Sequence, residues 1–395
     1  MAENGIQLPP IVAFANDWRT DPTSKHHVMR LLSEHTPVVW VESSGMRAPS
    51  VARAGDMRRV LAKLQKMSGG LRRELPGLSV LSPPSVPLPT LPFARALNAQ
   101  LYARSIDRAL ASLGHREPPI LWVYTPTVAR YLPRLRRGAL VYHCVDRWWA
   151  FEDYDADEMR ACHEILCREA DLVFASAKLL EDDCRQFTDR VRYLPHGVEW
   201  AHFRRALTET APRPADLPDG PIAGFIGMID SWVDQALLVE VARAIAPAEV
   251  VLIGHVRVDI GRLEAEPNIR LLGRKAFAEL PAYASAFDVA LIPFEVNDLT
   301  RAVNPIKLRE YLSAGLPVVT TALPEIVPFA DRPGTMVVDD TPAFVRAVVE
   351  RMRTPLAPAE RLAISDDMRG ESWEGRVAEM REALGPMVSR QRGAA

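Results

Sequence analysis

The sequence lacks the features of several classes of protein. No apolar run reaches the ~18–20 residues that a membrane-spanning helix needs. The N-terminal MAENGIQLPP has neither the basic nor the hydrophobic region of a signal peptide. A net charge of −2 over 395 residues excludes a strongly basic nucleic-acid-binding protein. These absences predict a cytoplasmic protein without a nucleic-acid partner.

Cysteine is also scarce, and the composition is otherwise ordinary. The four cysteines follow no zinc or redox spacing; they are Cys144, Cys162, Cys167 and Cys184. We therefore expect reduced core or helix residues, and no metal or other cofactor. The remaining composition, 48% apolar and 25% charged, is typical of a globular protein, and the length is sufficient for two hydrophobic cores.

Short β-rich runs alternate with amphipathic segments along the chain, a pattern typical of parallel sheets flanked by helices. One series of strands extends from Ile11–Asn16 to Val191–Leu194, and another from Ile222–Gly227 to Met336–Val338. The Pro-rich stretch 211–221 lies between the two series and has no periodicity, which is typical of a linker. The sequence therefore predicts an α/β protein of two Rossmann-like domains with a cleft between them.

Residues 294–321 carry the strongest functional signal. They predict a strand, a polar loop, a helix and a second buried strand, with Asn304 as the helix N-cap and Pro305 as the first helical residue. Lys307 then lies in the first turn, where free backbone N–H groups and the helix dipole favour an anion. Glu310, one turn later, can accept hydrogen bonds from a pair of sugar hydroxyls.

These residue types favour a nucleotide site. Asn304, Lys307 and Glu310 recur every three residues and so share one helix face. Arg301 adds a second cation in the preceding loop. Phosphate at the start of the helix with ribose beside it fits this arrangement. The alternative is that Lys307 and Glu310 form an ion pair on a solvated face.

The same segment resembles the signature helix of GT-B glycosyltransferases related to family 4. That family has E-x7-E followed by a small-Gly-x-Pro-Val-Val run. Glu310 and the run AGLPVV at 314–319 match its second half, whereas Ala302 stands at the first glutamate. The resemblance implies a divergent branch with a GT-B fold, a nucleoside diphosphate sugar as donor, Glu310 on the ribose, and no metal.

Two further segments resemble parts of the GT-B architecture. YLPHGVEWAHF at 193–203 is similar to the crossover between the domains. Ser372-Trp373 begins a segment similar to the terminal helix that returns to the N-terminal domain. The resemblance therefore implies an acceptor-side domain at 1–203, a nucleotide-sugar-binding domain at 204–372 and a C-terminal helix at 373–395.

Other strand ends extend the donor side. Gly227 ends the first predicted strand of the second domain and begins a loop that lies against the donor diphosphate in relatives. Asp230 takes the place of the usual basic residue there, so Arg301 and Lys307 become more important as phosphate partners. Arg274 follows the third strand, where the family places backbone groups against the base. The alternatives are a glycine needed only for the turn and a solvated arginine.

The first domain offers a candidate for acid–base chemistry. Asp146 ends a strand, and a carboxylate at the carboxyl end of a parallel strand points towards the ligand-binding crevice. It resembles the aspartate that some inverting GT-B enzymes use as a base; the alternative is a cap of the following helix. Asn16 and Asp17 after the first strand, and Tyr124 at the end of another, are also expected on the acceptor side.

Residues 53–73 combine basic side chains with an apolar stripe at helical spacing. The basic residues are Arg53, Arg58, Arg59, Lys63, Lys66, Arg72 and Arg73, against the single acid Asp56. A helix of this kind can lie on an anionic membrane surface, which predicts a peripheral position on the inner face of the membrane. The alternative is a helix that packs its stripe on the sheet with its charges in water.

These features together predict a glycosyltransferase of the hexosyltransferase type. It would move a sugar from a nucleoside diphosphate sugar to a glycan, lipid-linked or small-molecule acceptor in the synthesis of a cell-surface polysaccharide or glycoconjugate. Two alternatives stay open: a sugar-nucleotide 2-epimerase of the same fold, and a non-catalytic nucleotide-sugar-binding subunit, which Ala302 favours. Stereochemistry also stays open, because family 4 relatives retain the anomeric configuration while a base at Asp146 favours inversion.

Overall fold

The computed structural model of the chain describes residues 8–42, 70–86, 92–209 and 212–394. The chain divides into two compact units. The first contains Met1–Leu194 and Val377–Ala395, and the second contains Pro195–Arg376. Each unit is built on a mostly parallel sheet, so the predicted class, an α/β protein of two Rossmann-like domains, is confirmed. The Pro-rich stretch 211–221 lies within the second unit.

The first unit has an eight-stranded sheet. Its strands are β1 (Ile11–Ala15), β2 (Val38–Glu42), β3 (Gly70–Leu75), β4 (Leu78–Ser82), β5 (Ile120–Val123), β6 (Ala139–Cys144), β7 (Leu172–Ala175) and β8 (Val191–Tyr193). The order is β3-β4-β2-β1-β5-β6-β7-β8, and every neighbouring pair is parallel except β3 with β4. The strand order reverses at β1 and β5, where doubly wound sheets open a crevice at their carboxyl edge.

Helices cover this sheet, and the central strands are therefore buried and mostly apolar. The helices are Ser24–Leu32, Pro92–Ser112, Ala156–Glu169 and Lys178–Arg185, with the part of Trp373–Ala394 that begins at Val377. Strands β1, β5 and β6 are buried along their whole length. Burial on both faces explains why their sequences read as continuous apolar runs without alternation.

The second unit has a six-stranded sheet. Its strands are β9 (Ile222–Ile226), β10 (Glu249–Ile253), β11 (Ile269–Gly273), β12 (Val289–Ile292), β13 (Val318–Thr321) and β14 (Thr335–Val338). The order is β11-β10-β9-β12-β13-β14 and all pairs are parallel. Its helices are Trp200–Thr208, Gln235–Ile245, Gly261–Glu264, Leu280–Ser285, Ile306–Ser313, Thr341–Arg353 and Pro358–Asp367. The order reverses between β9 and β12, so the ligand-binding edge is expected there.

The helix Ile306–Ser313 forms as the sequence predicts, but its start differs. Pro305 is the N-cap residue, and the helix has no side-chain cap. The expectation that Asn304 caps this helix is wrong, because its side chain is buried in a polar network described below. The end of the helix is as expected: Gly315 follows it with a φ of 68°, a left-handed conformation that glycine adopts without strain.

Two observations concern the basic segment 53–73. Residues 53–69 lie outside the described residues. Residues 70–73 begin strand β3, so the prediction of a helix is wrong there; Arg72 and Arg73 stand opposite Val80 and Ser79 in an antiparallel ladder. Among the residues that the structure describes, no helix is both long and apolar enough to cross a membrane.

Candidate functional site

The loops after β9, β10 and β12 pair with one another at the carboxyl edge of the second sheet. The Gly227 amide donates to the Ile253 carbonyl at 2.8 Å, and the Glu295 amide donates to the Trp232 carbonyl at 2.9 Å. Gly254 allows this approach, because a Cβ there would lie 1.8 Å from the Gly227 carbonyl oxygen. Backbone groups from three strand ends therefore line one edge, as a ligand crevice requires.

The helix Ile306–Ser313 brings Lys307 and Glu310 to this edge. Lys307 Nζ donates to Glu310 Oε2 at 3.0 Å, and the Glu310 side chain is 10% exposed. A Cβ built on Gly227 would lie 3.3 Å from Lys307 Cε. The lysine therefore reaches the loop after β9 that begins at Gly227, which is called the glycine loop below. The Tyr311 hydroxyl, which donates to the Ile226 carbonyl and accepts from its amide, fixes the helix against the end of β9. The ion pair therefore exists, but its glutamate is largely buried and not on a solvated face.

Asp230 lies in the same glycine loop and is paired with an arginine that the sequence analysis missed. Its Oδ2 is 3.3 Å from Nη1 of Arg257, and its Oδ1 accepts from the Ser231 amide at 2.8 Å. Arg257 belongs to the loop after β10 and reaches the glycine loop through its own amide, which donates to the Ile229 carbonyl at 3.0 Å. A cation from the loop after β10 therefore lies beside the position where Asp230 replaces the family's usual basic residue. The sequence signal that could have identified Arg257 is its position in the loop after the second strand of the domain.

The two other predicted arginines lie at the periphery. Arg301 is exposed on a short 3₁₀ turn, Thr300–Ala302. Arg274 is exposed directly after β11, the outermost strand on that side. Ala302, at the position of the family's first glutamate, is completely buried. Arg301 and Arg274 are therefore more exposed than Lys307, whose side chain is 29% exposed.

Asn304 is buried and uses both ends of its amide inside the protein. Its Nδ2 donates to Glu325 Oε2 at 2.8 Å, and its Oδ1 accepts from Arg309 Nη1 at 2.7 Å. Arg309 is 2% exposed and also faces Glu371, which accepts hydrogen bonds from Arg332 and Arg376. Burial would raise the pKa of Glu371, but these arginines outweigh it and hold the pKa below its ordinary value. This buried network holds the start of the helix Ile306–Ser313 in place through Asn304 and Arg309.

At the carboxyl edge of the first sheet, Asp146 lies two residues beyond β6 and is half-buried. Burial raises its pKa, and the positive charge of Lys25 opposes this effect. Lys25, in the first helix, is another residue that the sequence analysis missed; burial lowers its pKa and Asp146 opposes that shift. Its Nζ lies 5.3 Å from the ring centroid of Trp148 and 5.9 Å from that of Tyr124. Asp146, Lys25 and Tyr124 therefore share one neighbourhood.

Asp146 does not cap the helix that follows it, which was the alternative to a role in acid–base chemistry. The 3₁₀ turn that follows, Trp148–Ala150, is preceded by Arg147 and has no side-chain cap. The next helix, Ala156–Glu169, is capped by Asp155, whose side chain accepts from the Glu158 amide at 2.9 Å. The carboxylate of Asp146 is therefore not used as a cap by either element.

Asn16 and Asp17 form a tight turn after β1. Asp17 Oδ1 accepts from the Arg19 amide at 3.0 Å, and Asn16 Nδ2 donates to Thr20 Oγ1 at 3.0 Å. Asn16 Oδ1 is buried and has no hydrogen-bond partner within the described part of the chain. The carbonyl of Asn16 also accepts from the indole of Trp40 at 2.8 Å. This turn therefore keeps one amide oxygen available while its carboxylate is engaged locally.

Comparison with known proteins gives a family match for part of the chain and a fold for the whole. Residues 220–353 match the family of group 1 glycosyl transferases. The candidate teichuronic acid biosynthesis glycosyltransferase TuaH of Bacillus subtilis (strain 168) is 26% identical over 237 residues, which is 55% of this chain and 59% of that protein. The alignment thus spans little more than half of this relative's length.

Solved structures resemble the whole chain at low sequence identity. Sucrose-phosphate synthase from Thermosynechococcus elongatus has a TM-score of 0.69 and 16% identity, covering 98% of this chain and all of its own. Anabaena HepE, solved in complex with UDP-glucose, has a TM-score of 0.63 and 13% identity, covering 95% of this chain and 99% of its own. These likenesses establish the GT-B fold over both units.

Proposed function

We propose that this chain, which has a GT-B fold and matches the group 1 glycosyl transferases over residues 220–353, is a hexosyltransferase. The donor is a nucleoside diphosphate sugar, and the acceptor is a hydroxyl of a glycan, lipid-linked or small molecule. The product belongs to a cell-surface polysaccharide or glycoconjugate. TuaH, which is assigned to teichuronic acid biosynthesis, supports the polysaccharide, and the HepE complex supports a UDP-sugar as the first donor to test.

One observation carries the proposal: the pair Lys307–Glu310 lies at the switch point of the second sheet, against Gly227. A diphosphate at the start of the helix attracts the lysine ammonium, and charge-assisted hydrogen bonds of this kind are stronger than neutral ones. Glu310 is then free to accept hydrogen bonds from the two ribose hydroxyls. The pair thus holds two recognition groups in place before the ligand arrives.

The reaction breaks the bond between the anomeric carbon and the diphosphate oxygen and forms a bond to the acceptor oxygen. The acceptor proton goes either to Asp146 as general base or to the departing diphosphate. Attack assisted by Asp146 inverts the anomeric carbon, whereas the second route belongs to retaining relatives. NMR of the first product formed, compared with the donor, distinguishes the two routes. The half-buried Asp146 beside Lys25 supports the first route.

The binding site is tested with UDP, GDP and ADP by isothermal titration calorimetry. Glu310→Ala removes a charged hydrogen-bond acceptor worth ~1.5–3 kcal/mol, so the affinity for the preferred nucleotide should fall at least about tenfold. Glu350→Ala, an exposed glutamate on the helix Thr341–Arg353, is the matched control. Equal affinities of Glu310→Ala and wild type for all three nucleotides would show that the site is assigned wrongly.

Activity is tested separately, by incubating the protein with sugar nucleotides in the absence of an acceptor. Slow release of the nucleoside diphosphate is expected of a transferase, because water then replaces the acceptor. Release of an epimerised sugar would instead indicate a 2-epimerase, and no turnover of any donor would indicate a non-catalytic subunit. This assay therefore tests the catalytic proposal independently of the assignment of the nucleotide-binding site.

The basic segment 53–73 supports contact with an anionic membrane surface on the cytoplasmic side. Each cation near such a surface contributes ~1 kcal/mol, screened over a Debye length of about 10 Å at 0.1 M salt. Wild-type protein should sediment with vesicles that contain anionic lipid, and less at high salt. Reversal of Arg58, Arg59, Lys63 and Lys66 to glutamate should abolish sedimentation and leave nucleotide binding unchanged. A wild type that never sediments at low salt contradicts this part of the proposal.

A further inference from the structure

Three of the four cysteines meet a histidine in the interior of the first unit. The thiols of Cys144 and Cys184 and the imidazole of His163 have ligand atoms that all lie within 4.8 Å of one another. Cys167 Sγ lies 3.6 Å from His163 Nε2. All four side chains are at most 2% exposed, and the cysteines are free thiols. Three ligand atoms therefore share one enclosed space, and Cys167 adjoins it through His163.

Three separate elements bring these side chains together. Cys144 is the last residue of β6, and Cys184 lies in the helix Lys178–Arg185. His163 and Cys167 lie one turn apart on the helix Ala156–Glu169, so they share a face of it. Cys162, on the same helix, is buried elsewhere and interacts with Arg130. The fourth cysteine, Cys162, is therefore also buried but does not belong to the cluster.

One measured distance in the cluster matches a tetrahedral zinc site. With Zn–S bonds of about 2.3 Å and Zn–N bonds of about 2.0 Å, a thiolate sulfur and an imidazole nitrogen on one ion are about 3.5 Å apart. The observed separation of Cys167 Sγ and His163 Nε2 is 3.6 Å. The other ring nitrogen, Nδ1, lies 3.1 Å from the Tyr142 hydroxyl, which is itself buried. Metal-binding histidines usually donate their second N–H to such a partner, because it fixes the ring orientation.

Zinc binds cysteine as thiolate, so each of the three cysteine ligands would carry a negative charge. A buried thiolate is costly unless a positive charge compensates it. A divalent cation supplies that charge, and cysteines in a reducing compartment are more often metal ligands than disulfides.

We propose that Cys144, Cys167, Cys184 and His163 bind one Zn²⁺ ion. The three thiols give up their protons to solvent as the metal–sulfur bonds form, and neutral His163 binds through Nε2. Four protein ligands leave no open position, so the ion is structural and takes no part in the transfer reaction. It joins two helices to the end of β6, from which Asp146 projects two residues later. The ion thus fixes the strand end that carries the proposed base.

The test uses the full chain purified under reducing conditions. Zinc content by mass spectrometry should be about one ion per chain in the wild type and in Cys162→Ser, the matched control. Cys184→Ser should bind much less. Replacement of zinc by Co²⁺ should give visible d–d bands and a sulfur-to-metal charge-transfer band. Tyr142→Phe keeps all four ligands but loses the bond to His163, and should bind metal ~10–100-fold more weakly.

The melting temperature under chelation and the Co²⁺ spectrum of the wild type test the proposal without relying on the folding of a variant. Chelation should lower the melting temperature of the wild type and of Cys162→Ser, because a structural ion contributes to folding. A wild type that is folded without zinc and gives no charge-transfer band with Co²⁺ would overturn the proposal. Equal zinc loss in Cys162→Ser and Cys184→Ser would overturn it too, since the metal would then follow thiol content alone.

Discussion

The two sheets share one strand order around their switch points but surround their key polar groups differently. In the second unit Lys307 and Glu310 are ion-paired at the edge, and a buried network of arginines and glutamates lies beneath them. In the first unit burial raises the pKa of Asp146, and the opposing cation is Lys25, whose Nζ lies near the rings of Tyr124 and Trp148. Paired charges suit a polyanionic ligand, whereas a partly buried carboxylate with a raised pKa suits proton transfer from a neutral hydroxyl. The same topology therefore supports two different kinds of chemistry.

The largest effect that tests this difference is expected at Asp146. Asp146→Asn removes the proton acceptor and keeps the shape of the side chain, so turnover should fall ~10²–10⁴-fold. Nucleotide affinity should stay unchanged, because the second unit is untouched. The measurements are sugar transfer, calorimetric binding of the nucleotide, and a melting temperature that should move by only a few degrees.

Asp189→Asn, an exposed aspartate of the same unit, is the control and should behave as wild type. Near-normal turnover in Asp146→Asn would show that the acceptor proton goes to the diphosphate. Early unfolding of this variant would instead assign Asp146 a structural role. In either case the contrast between the two sheet edges would be lost.

The next effect concerns the network beneath the second edge. Breaking a buried ion pair by removing one partner costs ~3 kcal/mol or more, so Glu371→Gln should destabilise the second unit by about that amount at pH 7. The variant removes the charge of the carboxylate that faces Arg309, which is 2% exposed. Urea unfolding with hydrogen exchange of the amides of Ile306–Ser313 measures this unit by itself. Glu374→Gln, an exposed neighbour, should change nothing.

The pH dependence of this loss has a definite sign. Arginines lower the folded-state pKa of Glu371 against the opposing effect of burial. A depressed pKa contributes stability above the unfolded-state pKa of about 4.3, and the contribution disappears as pH falls through the folded-state value. The difference in stability between wild type and Glu371→Gln should therefore shrink as the solution is acidified below about pH 4.3. A difference that stays constant down to acid pH would show that the charge of Glu371 is irrelevant.

The fold could be predicted from the sequence further than the site. Each predicted strand overlaps an observed one, because strands buried on both faces are continuous apolar runs between turn residues. Strand β3 was missed because its sequence, GLRREL, is polar and half-exposed at the sheet edge. Local pattern also placed Lys307 and Glu310 on one face, since that spacing is fixed within a single helix.

Contacts between distant segments could not be predicted in the same way. The pair Asp230–Arg257 joins loops after two different strands, and Lys25 reaches Asp146 from the first helix. Asn304 has the residue type and position of an N-cap, yet Arg309 and Glu325 give its amide two buried partners, and tertiary contacts prevail over local preference. The thiol cluster was invisible for the same reason, because its spacing exists only in three dimensions.

The smallest effects distinguish the partly buried cation of the second edge, Lys307, from the exposed Arg301. Lys307→Met should weaken binding of the preferred nucleoside diphosphate at least about tenfold, as expected for the loss of a charge-assisted hydrogen bond of ~1.5–3 kcal/mol. Binding of the corresponding nucleoside should not change. Arg301 is exposed, so Arg301→Met should cost ~1 kcal/mol or less, and only at low salt.

Titration calorimetry at low and high salt separates the effect of Lys307→Met from that of Arg301→Met. Arg346→Met, on the helix Thr341–Arg353, is the control for net charge. A salt-insensitive loss at Lys307 and a salt-sensitive one at Arg301 is the expected result. If Lys307→Met weakens nucleoside and diphosphate equally, the lysine does not address phosphate and serves only to hold Glu310. Should Arg301→Met be the more damaging at high salt, the phosphates lie beside the 3₁₀ turn Thr300–Ala302, and not over the glycine loop.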